Sequence, residues 1–195
     1  MSPPTLPRRA LLAGLLWPGS ARLAAADEAP DPWPLLRAGG AVFAMRHTLA
    51  PGTYDPPGFR QGDCSTQRNL NEEGREQARR LGRAFAERGL VPEAVYTSPW
   101  CRCIDTATLA FGRAEVWAPL GSPVGNGDAV SAANLATLRA ALVEAGRRPG
   151  RFTVWVTHQL VLSDLVGVST GSGEGLALRA DADGKARVLA RLAAG

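Results

Sequence analysis

The feature that most constrains this chain is a pair of nearly continuous apolar runs, Ala41-Val42-Phe43-Ala44-Met45 and Phe152-Thr153-Val154-Trp155-Val156. A strand with one face in water alternates polar and apolar residues. An uninterrupted run needs cover on both faces, as in a strand inside a parallel sheet. Shorter runs of the same kind occur at Ala94-Val95-Tyr96 and Glu115-Val116-Trp117, and helical patterns separate them. Gly74, Ala78, Leu81 and Phe85 share one face of a helix that Asn71 can cap, with Glu72 and Glu73 at its positive end. Leu135, Leu138, Leu142 and Ala145 repeat that spacing. Ile104, Ala107 and Phe111 form a third apolar face, on a helix that Ser98 can cap with Pro99 at its first position. Near the end, Leu176-Ala177-Leu178 and Val188-Leu189-Ala190 flank Asp181-Ala182-Asp183-Gly184, the pattern of a hairpin. Strands alternating with helices predict an α/β domain of three layers, αβα, around a mostly parallel central sheet. With 45% hydrophobic and 21% charged residues, the 195-residue chain can fill one such core, and disorder is excluded.

The first 26 residues stand apart from this pattern. Arg8-Arg9 precede an apolar stretch from Ala10 to Trp17, Pro18-Gly19 break it, and Ala24-Ala25-Ala26 offers a small-x-small cleavage site. Residues 1–26 read as a signal peptide whose paired arginines resemble a twin-arginine signal, although a general secretory signal also begins with positive charge, and either route predicts export to the periplasm with cleavage after Ala26. Residues 27–38, with Pro30, Pro32 and Pro34, read as a tether outside the core, leaving 39–195 as the folded domain. Arg8, Arg9 and Arg22 supply most of the net charge of +4, since without them 19 basic residues face 18 acidic ones. The isoelectric point of about 9.5 is therefore no argument for a nucleic-acid partner. No stretch approaches the ~20 continuous apolar residues of a membrane span, so no stable membrane insertion of the mature chain is expected. The sequence leaves the oligomeric state open.

Between the first strand and the first helix, Thr48 to Leu70 has no periodicity and carries Pro51, Gly52, Pro56, Pro57, Gly58 and Gly62. A structureless loop of that length in a compact domain is usually functional, and this one reads as a substrate-facing flap. Its Arg60 and Arg68 are candidate substrate-binding cations. In an open α/β sheet, ligands bind outside the carboxyl ends of the strands. Three such ends carry distinctive residues: Arg46-His47, Thr97-Ser98-Pro99-Trp100-Cys101-Arg102 and Thr157-His158-Gln159. Both histidines of the chain are in that set. Guanidiniums and imidazoles converging beside a helix N-terminus fit a compact anion, phosphate above all, because arginine forks match its oxygens bidentately and the helix end adds free N–H donors.

These residues, in this order and together with Leu70-Asn71-Glu72-Glu73-Gly74-Arg75-Glu76-Gln77-Ala78 and Thr106-Ala107, make the chain resemble the histidine phosphatase superfamily over roughly residues 40–180. That superfamily includes the cofactor-dependent phosphoglycerate mutases and the acid phosphatases. The resemblance implies a phosphoglycerate mutase-like fold and phosphomonoester hydrolysis through a phosphohistidine on His47. It also implies that Arg46, Arg102 and His158 bind the phosphoryl oxygens, with no metal and no other cofactor. Elementary chemistry agrees, since phosphoryl transfer needs an in-line nucleophile and positive charge around the equatorial oxygens.

Two departures from the family pattern matter. Thr48 follows Arg46-His47 where the family has glycine, and it is expected to lend a hydroxyl to the substrate instead. Gln159 follows His158, and the first carboxylate beyond Trp117 is Asp128, which becomes the expected proton donor, with Asp55 and Asp63 of the flap as substitutes. Ser98 and Gln159 complete the expected substrate contacts. The implied partner is a small phosphorylated substrate or a phosphorylated cell-envelope sugar.

The alternative function is a catalytically degenerate phosphate-binding protein of the same fold. A mutase is disfavoured because the chain has little room for large insertions that close over a substrate. Gly167-Val168-Ser169-Thr170-Gly171 matches a nucleophile elbow, yet that chemistry needs a histidine later in the chain and none follows His158. A zinc site fails because Cys101 and Cys103, two apart on a helix, face different directions. In an oxidising compartment one disulfide is expected, from Cys64 to Cys101 or Cys103.

Overall fold

A computed structural model of the chain describes Met1 and residues 30–195. The expected leader and its cleavage site after Ala26 otherwise lie outside the described residues. Among the described residues, β1 (Ala41–Arg46), β2 (Ala94–Thr97), β3 (Glu115–Val116), β4 (Phe152–Thr157), β5 (Gly175–Ala180) and β6 (Ala186–Leu192) form one sheet in the order β3-β2-β4-β1-β5-β6. The two unalternating runs take the central places, β4 and β1. β1 to β4 run parallel, whereas β5 pairs antiparallel with β1 and β6 returns against β5 as the expected hairpin.

Helices cover both faces, giving the expected three layers. α1 (Pro32–Ala38), α2 (Glu72–Glu87) and α3 (Cys101–Phe111) pack with Phe43, Met45, Val154 and Val156 on one side. α4 (Asp128–Gly146) and α5 (Gln159–Val166) pack with Val42, Ala44 and Trp155 on the other. Successive β1 residues thus enter opposite cores, and each large apolar side chain buried there contributes about 1.5–3 kcal/mol. Asn71 caps α2 as expected, its Oδ1 accepting from Gly74 N at 2.8 Å. Gly74 also lets the flap start close to this helix, because a Cβ there would overlap the Leu49 carbonyl.

Two expectations need correction. The segment read as a tether over residues 27–38 is a helix from Pro32 onward, capped by Asp31. Leu36 is fully buried, and Trp33 meets Phe85 edge to face at 5.0 Å. Pro32 and Pro34 are compatible with this because the N–H groups of a first helical turn have no intrahelical acceptor. The helix expected to be capped by Ser98 begins at Cys101, with Trp100 in the cap position. Ser98 Oγ is instead 2.7 Å from His158 Nε2.

Candidate active site

The parallel register sets the strand ends level. Arg46 pairs with Thr157, and Thr97 pairs with Val156. The ladder runs one step further, His47 N donating to the Thr157 carbonyl at 3.0 Å and Ser98 N to the Val156 carbonyl at 2.9 Å. The two histidine rings therefore meet at 5.6 Å between centroids, with planes 70° apart.

His47 is buried, and its Nδ1 lies 2.7 Å from the Thr48 carbonyl oxygen. A carbonyl can only accept, so Nδ1 carries the proton and the lone pair of the neutral ring is on Nε2. Burial, reinforced by the charges of Arg102, Arg68 and Arg46, lowers the His47 pKa to about 3, although the Thr48 bond works against it. Burial likewise lowers His158 well below the ordinary histidine range, helped by His47 and the same arginines. Both rings are neutral in neutral water.

A cavity of about 300 Å³ opens beside them, lined by Arg46, His47, Arg68, Arg102, His158 and Gln159. Arg46 Nη1 donates to Gln159 Oε1 and to the Thr170 carbonyl, both at 3.1 Å. Arg68 Nη1 donates to the Ala50 carbonyl. Arg102 Nη1 and Nη2 reach the Asp55 carboxylate at 2.7 and 3.3 Å. The Nε atoms of all three arginines are buried without a hydrogen-bond partner in the protein. Unpaired buried donors are costly and call for an explanation. Burial first, then the neighbouring Arg102 charge, also lowers the pKa of Arg46 and of Arg68. A compact anion would pair the free donors and offset the repulsion. A larger groove of about 470 Å³, between Tyr96, Trp117 and Trp155, contains none of these groups.

Arg46, His47, Arg68, Arg102, His158 and Gln159 are thus brought together as expected. Ser98 is buried with its hydroxyl on His158. Thr48 does not lend its hydroxyl to this cavity. Thr106 Oγ1 donates to the Arg102 carbonyl at 2.7 Å, so it accepts from Thr48 N at 3.2 Å and from Thr48 Oγ1 at 3.0 Å. That network ties the residue after His47 to the helix of Arg102. Arg60 is exposed and paired with Asp63 at 2.7 Å, away from the cavity. Asp128 is exposed in the first turn of α4, and the structure does not bring it to the histidines. Gly52, Thr53, Tyr54, Ser122, Val124 and Leu160 complete the wall, and no local pattern in the sequence singled them out as site residues.

The flap is anchored beside Arg102. Cys64 is bonded to Cys101, which settles the open choice of partner, and Cys103 is a buried free thiol whose pKa burial pushes up to about 12. Gln67 Oε1 accepts from Cys101 N at 3.0 Å, and Phe59 stacks on Trp100 at 5.5 Å.

An αβα sheet with a neutral, oriented imidazole and an arginine cluster at its strand ends makes a site suited to a compact anion. The model of the histidine phosphatase superfamily (branch 1) matches residues 42–120, from the second residue of β1 through the short 3-10 helix after β3. Over those 79 of its 195 residues the chain is similar to that superfamily. It is 40% identical over 53 residues to a 2,3-bisphosphoglycerate-dependent phosphoglycerate mutase of Arthrobacter sp. (strain FB24), 27% of this chain and 21% of the mutase. The corresponding enzyme of Leifsonia xyli subsp. xyli is 44% identical over 52 residues, 26% of this chain and 21% of its own. These alignments span about a fifth of the length of the mutases. Among solved structures, mycobacterial glucosyl-3-phosphoglycerate phosphatase superposes with a TM-score of 0.57 at 18% identity, covering 80% of this chain and 99% of that one. The protein histidine phosphatase SixA complexed with tungstate gives 0.54 at 19% identity, covering 78% and 96%. These likenesses establish the shared fold.

Proposed function

We propose that the protein is a phosphomonoester hydrolase that carries the phosphoryl group transiently on His47. The observation that carries this reading is the His47 ring itself, neutral and with Nδ1–H held by the Thr48 carbonyl, so that Nε2 is a free nucleophile beside three arginines with unpaired Nε–H groups. Nε2 attacks phosphorus in line with the ester oxygen. Arg46, Arg68 and Arg102 meet the charge on the equatorial oxygens, and His158, fixed through Ser98, bounds the site. Water then hydrolyses the phosphohistidine. The arginines supply the charge compensation that a metal gives elsewhere, so the reaction needs no metal. The mature protein works in the periplasm after loss of residues 1–26, on a small phosphorylated substrate such as a sugar phosphate of the cell envelope. The names of the structural neighbours, a glucosyl-3-phosphoglycerate phosphatase and a protein histidine phosphatase, are consistent with that range.

The test is hydrolysis of p-nitrophenyl phosphate by the purified protein, with and without a chelator, alongside His47→Ala. Wild-type activity that resists chelation, falls by about 10³-fold or more in the variant and passes through an acid-labile, His47-dependent phosphoprotein is expected. Residual activity above about a tenth in His47→Ala overturns the mechanism. Phosphate binding with no turnover at all gives the degenerate binding protein. N-terminal sequencing of periplasmic protein checks the start at Asp27.

A further inference from the structure

We propose that Asp55 of the flap is the proton donor to the leaving group, and that before substrate arrives its carboxylate occupies the same arginine that the phosphoryl group needs. This rests on the phosphatase reading above and assigns a residue which that reading leaves open.

Asp55 is held as a phosphate would be. Its two oxygens take Arg102 Nη1 at 2.7 Å and Nη2 at 3.3 Å, with Arg68 N at 2.9 Å and Trp100 Nε1 at 3.1 Å completing the shell. A bidentate carboxylate on a guanidinium uses the face on which the arginine would grip phosphoryl oxygens. Burial works to raise the Asp55 pKa, but the Arg102, Arg68 and Trp100 hydrogen bonds prevail and hold it below the ordinary value.

Position supplies the second observation. Asp55, Phe59 and Trp100 line a cavity of about 230 Å³ that shares Thr53, Tyr54, Arg102, Ser122 and Val124 with the His47 cavity. In-line attack from Nε2 sends the leaving group away from His47, and the space continues towards Asp55. Among the described residues, neither cavity has another aspartate or glutamate in its wall.

The exchange is balanced. An arriving monoester takes the Arg102 N–H groups, and Asp55, stripped of them and facing a dianion, takes up a proton from solvent. The Nε2 lone pair forms the N–P bond. The ester P–O bond breaks, and its electron pair takes the Asp55 proton as the alcohol leaves. Asp55, again a carboxylate, then accepts a proton from the water whose oxygen attacks phosphorus, and the N–P electron pair returns to Nε2.

The experiment compares wild type, Asp55→Asn and Asp55→Glu on glycerol phosphate and p-nitrophenyl phosphate, with the phosphorylation step read by rapid quench and inorganic phosphate binding read by calorimetry. Asp55→Asn is expected to slow glycerol phosphate by about 10²–10⁴-fold and p-nitrophenyl phosphate by less than about tenfold, because nitrophenolate leaves without a proton. It is expected to bind inorganic phosphate more tightly than wild type, with no carboxylate to displace. Asp55→Glu should restore part of the glycerol phosphate rate. Equal losses on both substrates, or unchanged phosphate affinity, overturn the proposal. If Asp55→Asn does not fold, a wild-type series of aryl phosphates of rising leaving-group pKa decides: a nearly flat rate supports protonation and a steep fall overturns it. Wild type inactive on every ester defeats the phosphatase reading, while the phosphate titration of Asp55→Asn still tests the occupancy of Arg102.

Discussion

His47 and Asp55 flank the same arginine cluster but are held by different means. His47 follows a strand whose residues Ala41 to Met45 are fully buried between two cores, and its ring is oriented by the backbone of its own neighbour. Asp55 lies in a loop whose one regular element is a 3-10 turn at Cys64–Thr66, and it is placed by one disulfide, the Arg102 ion pair, hydrogen bonds from Arg68 N and Trp100 Nε1, and a stacked Phe59–Trp100 contact. His47 is therefore positioned by burial, which is distributed over many side chains. The flap depends on a few tethers, each of which can be cut singly. Damage to the strand side should unfold the protein, whereas damage to the flap should leave a folded protein in which the proposed activity has altered selectivity.

Phe43→Ala tests the strand side hardest. Phe43 is fully buried and packs edge to face on Phe85 at 5.2 Å, so its truncation should cost about 4 kcal/mol. Urea unfolding measures it, and a cost below about 1 kcal/mol would mean the core does not set the site. Next comes the tether. The disulfide joins residues separated by 37 in sequence. Replacing Cys64 and Cys101 together by serine should cost about 2–4 kcal/mol. The reaction with p-nitrophenyl phosphate should survive better than that with glycerol phosphate, because His47 stays in place while Asp55 loses its anchor. A double variant equally impaired on both would blur the distinction between the two sides.

Acid probes the histidines. His47 has a folded pKa of about 3 against about 6.5 unfolded, so between those values the unfolded chain binds the extra proton. Stability contributed by the neutral ring is complete above pH 6.5 and falls as pH drops, by about 2 kcal/mol at pH 5, with His158 acting in the same direction. Unfolding curves at pH 7 and 5 read this, and His47→Gln should flatten the dependence.

Smaller still is Thr48→Ala, which removes one hydroxyl hydrogen bond to Thr106 and should cost about 1 kcal/mol, read by denaturation. The least effect belongs to Arg60→Ala. Its partner is the exposed Asp63, so stability should change by less than about 0.5 kcal/mol and kcat/KM by less than about twofold. A large loss of activity there would bring Arg60 back into the site.

The strand side was readable because its physics is local. An apolar run without alternation reports cover on both faces, and the residues after Met45 and Val156 fall at the strand ends by counting. The flap was legible only as an irregular stretch. Nothing near Asp55 announces an arginine 47 positions away, and Asp128 stood out only because it was the next acid along the chain. Ser98 misled for a related reason: its hydroxyl suits a helix cap, but His158, brought alongside by β4, takes it. The prolines hid α1 because their fixed backbone is equally at home in a tether and in a first helical turn.

The order of the strands also bears on how the molecule comes into being. β1 is made before its parallel partner β4, which is translated about 110 residues later, so the innermost pairing of the sheet has to wait for everything between them. Until then Val42 to Met45 has no partner on that side, and the nascent polypeptide presents an uncovered apolar ribbon. The apolar run that holds His47 so firmly in the finished protein therefore creates an interval of vulnerability during synthesis, one in which a chaperone that masks such ribbons would raise the yield.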